Sequence, residues 1–411
     1  VRFLVGLGLV GLALVNSAPA LSDREALEPG MKWRVVTGSS KIDWINRLIQ
    51  TRDGAIVAVG FLGRDPDAKA LERWTATAIK YSLDGKYIWS RDFATPGMNA
   101  FWSVCEASGG QLVIGGFSSS APSVAYDARL TVLSENGVQI TAKTFGGPKD
   151  DRATDVLITR DGGYLLIGQT ESFGAGERDV FLVKTDSRGS EKWQKTYGGP
   201  GMDRGFAAVE TNDGGFVVIG TTGSESKIVG LVFKVDKDGG QIWWRTLPAD
   251  HNVVFHAVNL FPDGRLLITG YTNSWDSKET DFLAVTLSPQ GDISRIETLG
   301  GAAEEHGITA ADDRKGGAWL AGYSKSFGDG AWHSTLAHIR PDGSFEPGVI
   351  ALNLNTESFA TTAATLSDGD LVVGGYARTG GPTSSVNLML MRIDPDKANR
   401  VTENVSVKRV Q

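Results

Sequence analysis

The chain has 411 residues, 41 % of them hydrophobic, with 41 Lys+Arg against 48 Asp+Glu for a net charge of −7. An acidic balance excludes a nucleic-acid footprint built on basic charge, and a single cysteine, Cys105, excludes an intrachain disulfide. Stability has to come from burial and strand pairing.

In chain order, the first feature is an apolar run from Phe3 to Val15, preceded by Arg2 and followed by Ala18-x-Ala20. This reads as a signal peptide over residues 1–20, cleaved before Leu21, and predicts a periplasmic or secreted product. The run is shorter than the ~20 apolar residues that span a bilayer, so no membrane span is expected after cleavage. No cysteine follows the cleavage site to carry a lipid. Loss of Arg2 deepens the net charge to −8. Residues 21–30 read as a lead-in.

From Met31 onward the chain repeats itself. The segment Asp151–Gly168 returns as Asp203–Gly220 with the same spacing, and a glycine closing an apolar run marks seven copies: Gly60, Gly115, Gly168, Gly220, Gly270, Gly322 and Gly374. A period of roughly 50 residues in a strand-rich chain points to propeller blades. In the third copy, strand a runs from Arg152 to Thr159, and the Asp161-Gly162 pair supplies a tight hairpin. Strand b is Tyr164–Ile167, an apolar run suited to burial on both faces. A loop from Thr170 to Arg178 leads to strand c, Val180–Val183, and a second hairpin, Ser187-Arg188-Gly189, to strand d, Lys192–Tyr197. The expected fold is therefore all-β, a seven-bladed β-propeller of four-stranded antiparallel blades over residues 31–400, with a tail over 401–411.

An orphan copy of strand d, Lys32–Gly38, precedes the first full repeat. It is expected to close the ring as the outer strand of blade 7, which leaves only short sheet edges. The tail Val401–Val410 is the competing closing strand.

The Asp-Gly-Gly-Tyr turn (161–164), the Thr-x-Ser-Phe-Gly loop (170–174) and the Lys-Trp-x-Lys-Thr-Tyr-Gly-Gly strand (192–199) resemble a group of exported bacterial and archaeal propellers built from such repeats. That resemblance implies fold and export, with no single activity. The Gly-x-x-x-Trp entering strand d (Gly85 to Trp89, Gly189 to Trp193, Gly239 to Trp243) is similar to the tryptophan-docking repeats of quinoprotein (PQQ-like) and BamB-like propellers. A quinone-dependent oxidoreductase would bring eight blades and adjacent cysteines, which this chain lacks. Kelch and WD signatures are missing, and sialidase-like Asp boxes are matched only by Ser82-Leu83-Asp84-Gly85, with the wrong spacing to Trp89.

In a repeat protein, residues that recur at one column build the architecture, and residues that break the column are the better functional candidates. Trp33, Trp89, Trp193 and Trp243 are thus expected to wedge between blades, and Asp53, Asp161, Asp213, Asp263 and Asp368 to form turns. Asp236-x-Asp238 and Asp394-x-Asp396 offer too few oxygens for a calcium loop and also read as turns. The d-to-a and b-to-c connections of a propeller share one face. There one column reads Asp43, Met98, Asp151, Asp203, Val253, Glu305 and Ser358, and the next reads Trp44, Asn99, Arg152, Arg204, Val254, His306 and Phe359. Alternating carboxylates and cations at a pore mouth would bind a cation, an amine or a polar polymer; a self-satisfied network is the competing reading. Phe173, Trp275 and Phe327 are expected to cap blades, whereas Trp74 and Trp332 fall outside that column and are expected to stand exposed for stacking. Loop 62–74, the longest, is expected to reach over the mouth.

The five histidines have no metal-ligand spacing, and no nucleophile elbow or phosphate-cradling loop is present. The expected function is a noncatalytic, monomeric, exported module binding a protein or polysaccharide through its upper rim, without a cofactor; calcium is the one ion considered. The alternative is a carbohydrate-active hydrolase or lyase using carboxylates at the channel mouth. The candidate site is Asp43, Trp44, Asp151, Arg152, Asp203, Arg204, Glu305, His306, Trp74 and Trp332, with no catalytic and no metal-binding residue.

Overall fold

The computed structural model describes residues 27–37, 43–63, 74–121, 125–224, 226–247, 250, 252–275, 279–352, 354–379 and 385–410. The expected signal peptide and most of the long first b–c loop, with Arg64, Asp67 and the stretch 69–72, lie outside the described residues.

The strands form seven antiparallel sheets arranged as blades. Blade 3 shows the pattern, with strand a at Asp151–Ile158, b at Tyr164–Thr170, c at Asp179–Thr185 and d at Glu191–Tyr197. Each blade is packed on both sides by its neighbours, so strand b is apolar without alternation: Tyr164 and Leu166 face blade 2, while Leu165 and Ile167 face blade 4. Burying each such side chain contributes about 1.5–3 kcal/mol. The core is thus seven interblade layers rather than one centre. Strand d forms the outer edge and is mostly exposed in blade 3.

Closure follows the orphan repeat. Met31–Thr37 pairs with Ser385–Ile393, Val35 opposite Leu390, and completes blade 7 as its strand d. The tail does something else. Ser406–Val410 pairs with Ile293–Gly300 and adds a fifth strand to blade 5, Val407 opposite Leu299. On the way Val401 and Val349 exchange backbone hydrogen bonds, so the tail straps the outside of blades 6 and 5 together.

The strand-d tryptophans sit on the c–d hairpin of the next blade. A Cβ on Gly85 would meet the Trp33 ring at 2.9 Å, one on Gly291 the Trp243 ring at 2.9 Å, and Trp193 Nε1 donates to the Lys237 carbonyl. These hairpin glycines adopt positive φ, 81° at Gly85 and 86° at Gly291, which glycine adopts without steric penalty.

The register corrects the repeat alignment at two blades. The strand-b glycine opposite the same point of strand a is Gly116, not Gly115, in blade 2, and Gly375, not Gly374, in blade 7. Both blades carry a Gly-Gly pair, so spacing alone did not separate the two. With this correction the first column reads Asp43, Asn99, Asp151, Asp203, Val253, Glu305, Ser358, and the second reads Trp44, Ala100, Arg152, Arg204, Val254, His306, Phe359. Met98 drops out, and Asn99 moves into the acidic column.

Candidate functional site

The acidic column does not face the channel. Asp43, Asp151, Asp203 and Glu305 are 3 %, 0 %, 1 % and 0 % exposed. Apart from Asp43 in blade 1, they are turned toward the preceding blade. Asp151 accepts from Gly147 N at 2.7 Å and from Ser172 Oγ at 2.7 Å; Asp203 accepts from Gly199 N at 2.9 Å; Glu305 accepts from Gly301 N at 3.0 Å and Ser324 Oγ at 2.8 Å. The Gly-Gly that ends strand d and the acid that opens the next strand a are therefore one interblade latch, joined by Ser172 of the b–c loop at Asp151 and by Ser324 at the end of strand b at Glu305. In the Ser172 loop Thr170 Oγ1 accepts from Ser172 N and Phe173 N, which sets the serine in place.

Each acidic latch holds a second carboxyl from strand c of the preceding blade. A Cβ on Gly146 would lie 2.5 Å from both Asp127 Oδ1 and Asp151 Oδ2, and one on Gly198 would lie 2.4 Å from Asp203 Oδ2 and 2.5 Å from Asp179 Oδ1. The third pair is Asp281 with Glu305, around Gly300. Paired burial disfavours the ionised form. Burial, reinforced by Asp151, raises Asp127 above the usual carboxylate range. Burial pushes Glu305 up to about 7 against its serine and amide donors, with the Asp281 charge adding.

The channel is built by a different column. Every strand a carries a β-bulge at the same place, between residues 45 and 47, 101 and 103, 153 and 155, 205 and 207, 255 and 257, 307 and 309, and 360 and 362. The recurring strand-b glycine is the counterpart of this bulge, because a Cβ there would strike a strand-a carbonyl: Trp44 O at 1.8 Å from Gly60, Arg152 O at 1.8 Å from Gly168, Arg204 O at 1.8 Å from Gly220. A bulge re-aims its side chain, and the seven bulge residues, Asn46, Trp102, Thr154, Phe206, His256, Ile308 and Thr361, all line one central cavity of 540 Å³. Three of them also tie blades together. Asn46 donates to Phe101 O at 2.7 Å, Thr154 to Gly205 O at 2.7 Å and Thr361 to Ile45 O at 2.5 Å. Trp102, Phe206, His256 and Ile308 make no such tie among the described residues and present their side chains to the cavity.

Above the bulge ring, the second column pairs across to strand b, and the pairs divide the mouth in two. In five blades the strand-b partner is aromatic: Phe61, Phe117, Tyr271, Tyr323 and Tyr376. In blades 3 and 4 it is Gln169 and Thr221, opposite Arg152 and Arg204. Ring contacts run unbroken from Phe206 through His256, Tyr271, His306 and Tyr323 to Phe359, Tyr376 and Trp44, with centroids 4.2–5.6 Å apart. Burial, with His306 adding, pushes His256 down to about 4, and burial lowers His306 as well. Both imidazoles are held toward the neutral form, as a stacked apolar wall requires. Deeper in the channel Asp155 accepts from Ser103 Oγ and from Val156 N, and burial raises its carboxyl despite Arg47 nearby.

The expected stacking residues are already engaged. Trp74 stacks on Phe61 at 4.4 Å, and Trp332 packs edge-on against His306 and Tyr323 under Lys325 Nζ at 4.3 Å. They buttress the aromatic wall instead of standing free, since a half-buried indole gains more from neighbouring rings than from water. Phe327 is buried and Trp275 packs partly buried in the blade-5 layer, whereas Phe173 is exposed. Of the candidate residues, Trp44, Arg152 and Arg204 line the cavity; His306 backs its wall; Asp43, Asp151, Asp203 and Glu305 lie behind it. Trp102, Phe206, His256, Tyr323 and Tyr376 are lining residues that the column reading missed. The signal for the last two was present, as the residue after each strand-b glycine. Asp236 and Asp394 accept backbone amides within their own turns, and among the described residues no three His, Cys, Asp or Glu side chains group as a metal site.

No known protein family matches the chain, and no curated protein matches it. Among solved structures it is similar to the Pan2 WD40 domain of Neurospora crassa, at 9 % identity and a TM-score of 0.51 over 92 % of this chain and 99 % of that one. It is similar to Sqt1 of Chaetomium thermophilum, at 13 % identity and 0.50 over 92 % and 90 %. A puromycin hydrolase matches at 15 % identity and 0.51, covering 89 % of this chain but only 55 % of that one, so the chain spans about half of that enzyme. At these identities the likeness shows the propeller fold alone.

Proposed function

We propose that this chain is a noncatalytic, exported binding module, and that its ligand is a polysaccharide whose chain end or short segment enters the channel mouth. The observation that carries this reading is the convergence of seven bulge side chains, one per blade, on a 540 Å³ cavity with an aromatic wall. Cavities of about 300–1,000 Å³ suit small ligands or a few sugar rings, whereas a protein partner would need a broad surface outside the cavity. Flat rings such as Trp44, Trp102 and Phe206 offer faces on which pyranose rings stack. Glycoside hydrolysis commonly uses two carboxyl groups flanking the bond; among the described lining residues there is one, Asp155, and it is closed in by Ser103 and a backbone amide.

Calorimetric titration with an oligosaccharide panel tests the reading. At least one glycan is expected to bind wild type, and Trp102→Ala is expected to weaken it by about tenfold, equivalent to ~1.4 kcal/mol, in a chain that still melts cooperatively. Affinity untouched by Trp102→Ala, turnover of the glycan, or binding of a protein but no glycan would refute it.

A further inference from the structure

We propose that blades 3 and 4 build an anion site at the channel mouth, in which Arg152, Arg178 and Arg204 receive a carboxylate or sulfate group carried by the channel ligand. The proposal rests on the channel-mouth reading above and names the class of glycan, an acidic one such as a uronate or a sulfated sugar.

The three guanidinium groups come together for backbone reasons. Arg152 and Arg204 hold the same column in adjacent strands a. Arg178 ends the b–c loop of blade 3, and its carbonyl accepts from Asp203 N at 2.7 Å, which pins it one residue from Arg204. All three line the cavity. Arginine stays charged at any working pH, so the cluster needs counter-charge.

Two acids supply part of it. Glu171 takes Arg178 in a two-nitrogen contact and Asp150 takes Arg152 at 3.3 Å, and the two acids are themselves neighbours through Glu171 N donating to Asp150 O at 2.9 Å. Among the described residues Arg204 forms no ion pair at contact distance, and the charge of Glu171 offsets its own only from farther away. Other buried cations are paired, Lys184 with Asp161 and Arg392 with Asp368 and Asp370, while buried Arg129 is held by Thr131 and Gln139 without an acid. The acids that adjoin Arg152 and Arg204 in sequence, Asp151 and Asp203, are turned back into the latches. Burial first, then the charges of Arg178 and Arg152, disfavour the protonated form of Arg204.

Arg152 is also held for a ligand. Its guanidinium stacks over Tyr126 at 4.7 Å and Phe117 at 5.1 Å, and its Nε is buried with no hydrogen-bond partner. Leaving a buried donor unpaired costs about 1–3 kcal/mol, and an anionic oxygen would remove that cost. Charge-assisted, fork-like contacts to a carboxylate or sulfate are the strong use of such arginines. The aromatic wall lies across the same mouth, so a ring stacked on Trp102 or Phe206 could carry its acidic group toward blades 3 and 4.

The test compares a galacturonic acid trimer with its carboxyl-reduced, neutral counterpart, and adds inorganic sulfate, against wild type, Arg204→Gln and Arg178→Gln. Wild type is expected to bind the acidic trimer about tenfold more tightly than the neutral one, with added salt weakening only the acidic ligand. Either arginine variant is expected to erase that preference, bringing the acidic trimer down to the affinity of the neutral one. Equal affinity for the two trimers in wild type, or equal loss of both in the variants, overturns the anion site while sparing the glycan reading. If neither trimer binds but sulfate raises the melting temperature of wild type and not of Arg204→Gln, the anion site stands and the glycan reading falls. Silence from trimers and sulfate alike overturns it.

Discussion

Two rings of residues lie on the same seven strands, the latch position and the bulge position three residues farther along, and they follow opposite rules. The latch position varies, and in blades 3 to 6 the facing strand-c residue varies with it, while in blades 2 and 7 a strand-c backbone amide meets it. Asp151, Asp203 and Glu305 meet Asp127, Asp179 and Asp281. Asn99 accepts from Ala76 N, and Ser358 accepts from Ser334 N. Val253 sits where strand c offers Gly230, whose missing Cβ leaves room for Val253 and Phe255. At the bulge position three residues tie blades together by hydrogen bonds and four do not, although Phe206 and His256 meet ring to ring across blades 4 and 5, and all four face the cavity. Matched variation preserves a joint, and variation that faces the cavity shapes a surface for something else.

The largest effect on stability is expected where the two rings share a part, the strand-b glycine. In Gly168→Ala the new Cβ would lie 1.8 Å from the Arg152 carbonyl, backbone against backbone, and a loss of about 3 kcal/mol or more is expected in urea unfolding. Gly214→Ala, with nothing within 4 Å but φ at +80°, is the control, at about 1 kcal/mol. Equal losses at both sites would mean that bulge seating does not constrain strand b.

A smaller effect separates the acidic latches from the neutral ones. The Glu305 carboxyl rises from 4.5 to about 7 on folding, so the folded state keeps a proton that the unfolded chain releases. Its contribution is fully present below about pH 4.5 and is lost as pH climbs through about 7, on the order of 3 kcal/mol at most. Wild type should lose stability across that window, and Glu305→Gln, which cannot ionise, should show a flatter profile. Identical slopes would remove the latch proton from the account.

Much of the fold was legible because its determinants are periodic. The hairpin Asp-Gly pairs, the apolar strand b and the orphan Lys32-Trp33 strand each state a local requirement that the ring repeats. The role of Asp151 and Asp203 was harder to read, since nothing in a sequence says whether an acid opening a strand points at a channel or at the glycine of the previous blade. The channel itself was half-written. Five of the seven strand-b glycines precede an aromatic residue, and the exceptions, Gln169 and Thr221, fall beside Arg152 and Arg204. The bulge was not legible, because one extra residue per strand shifts which side chain faces inward without altering the period. That shift hid Trp102, Phe206 and His256. The tail was ambiguous for a different reason: any short apolar strand can extend an exposed sheet edge, and blade 5 presented one.

The central claim is that the unbridged bulge residues serve a ligand and not the ring. The direct measurement is to replace Trp102, Phe206, His256 and Ile308 together with Thr, the residue that bridges blades at 154 and 361, and to follow melting and glycan titration on the same sample. The account predicts a chain that still folds and melts cooperatively, with loss of glycan binding. A folded variant that binds as wild type does, or a chain that no longer folds, would contradict it.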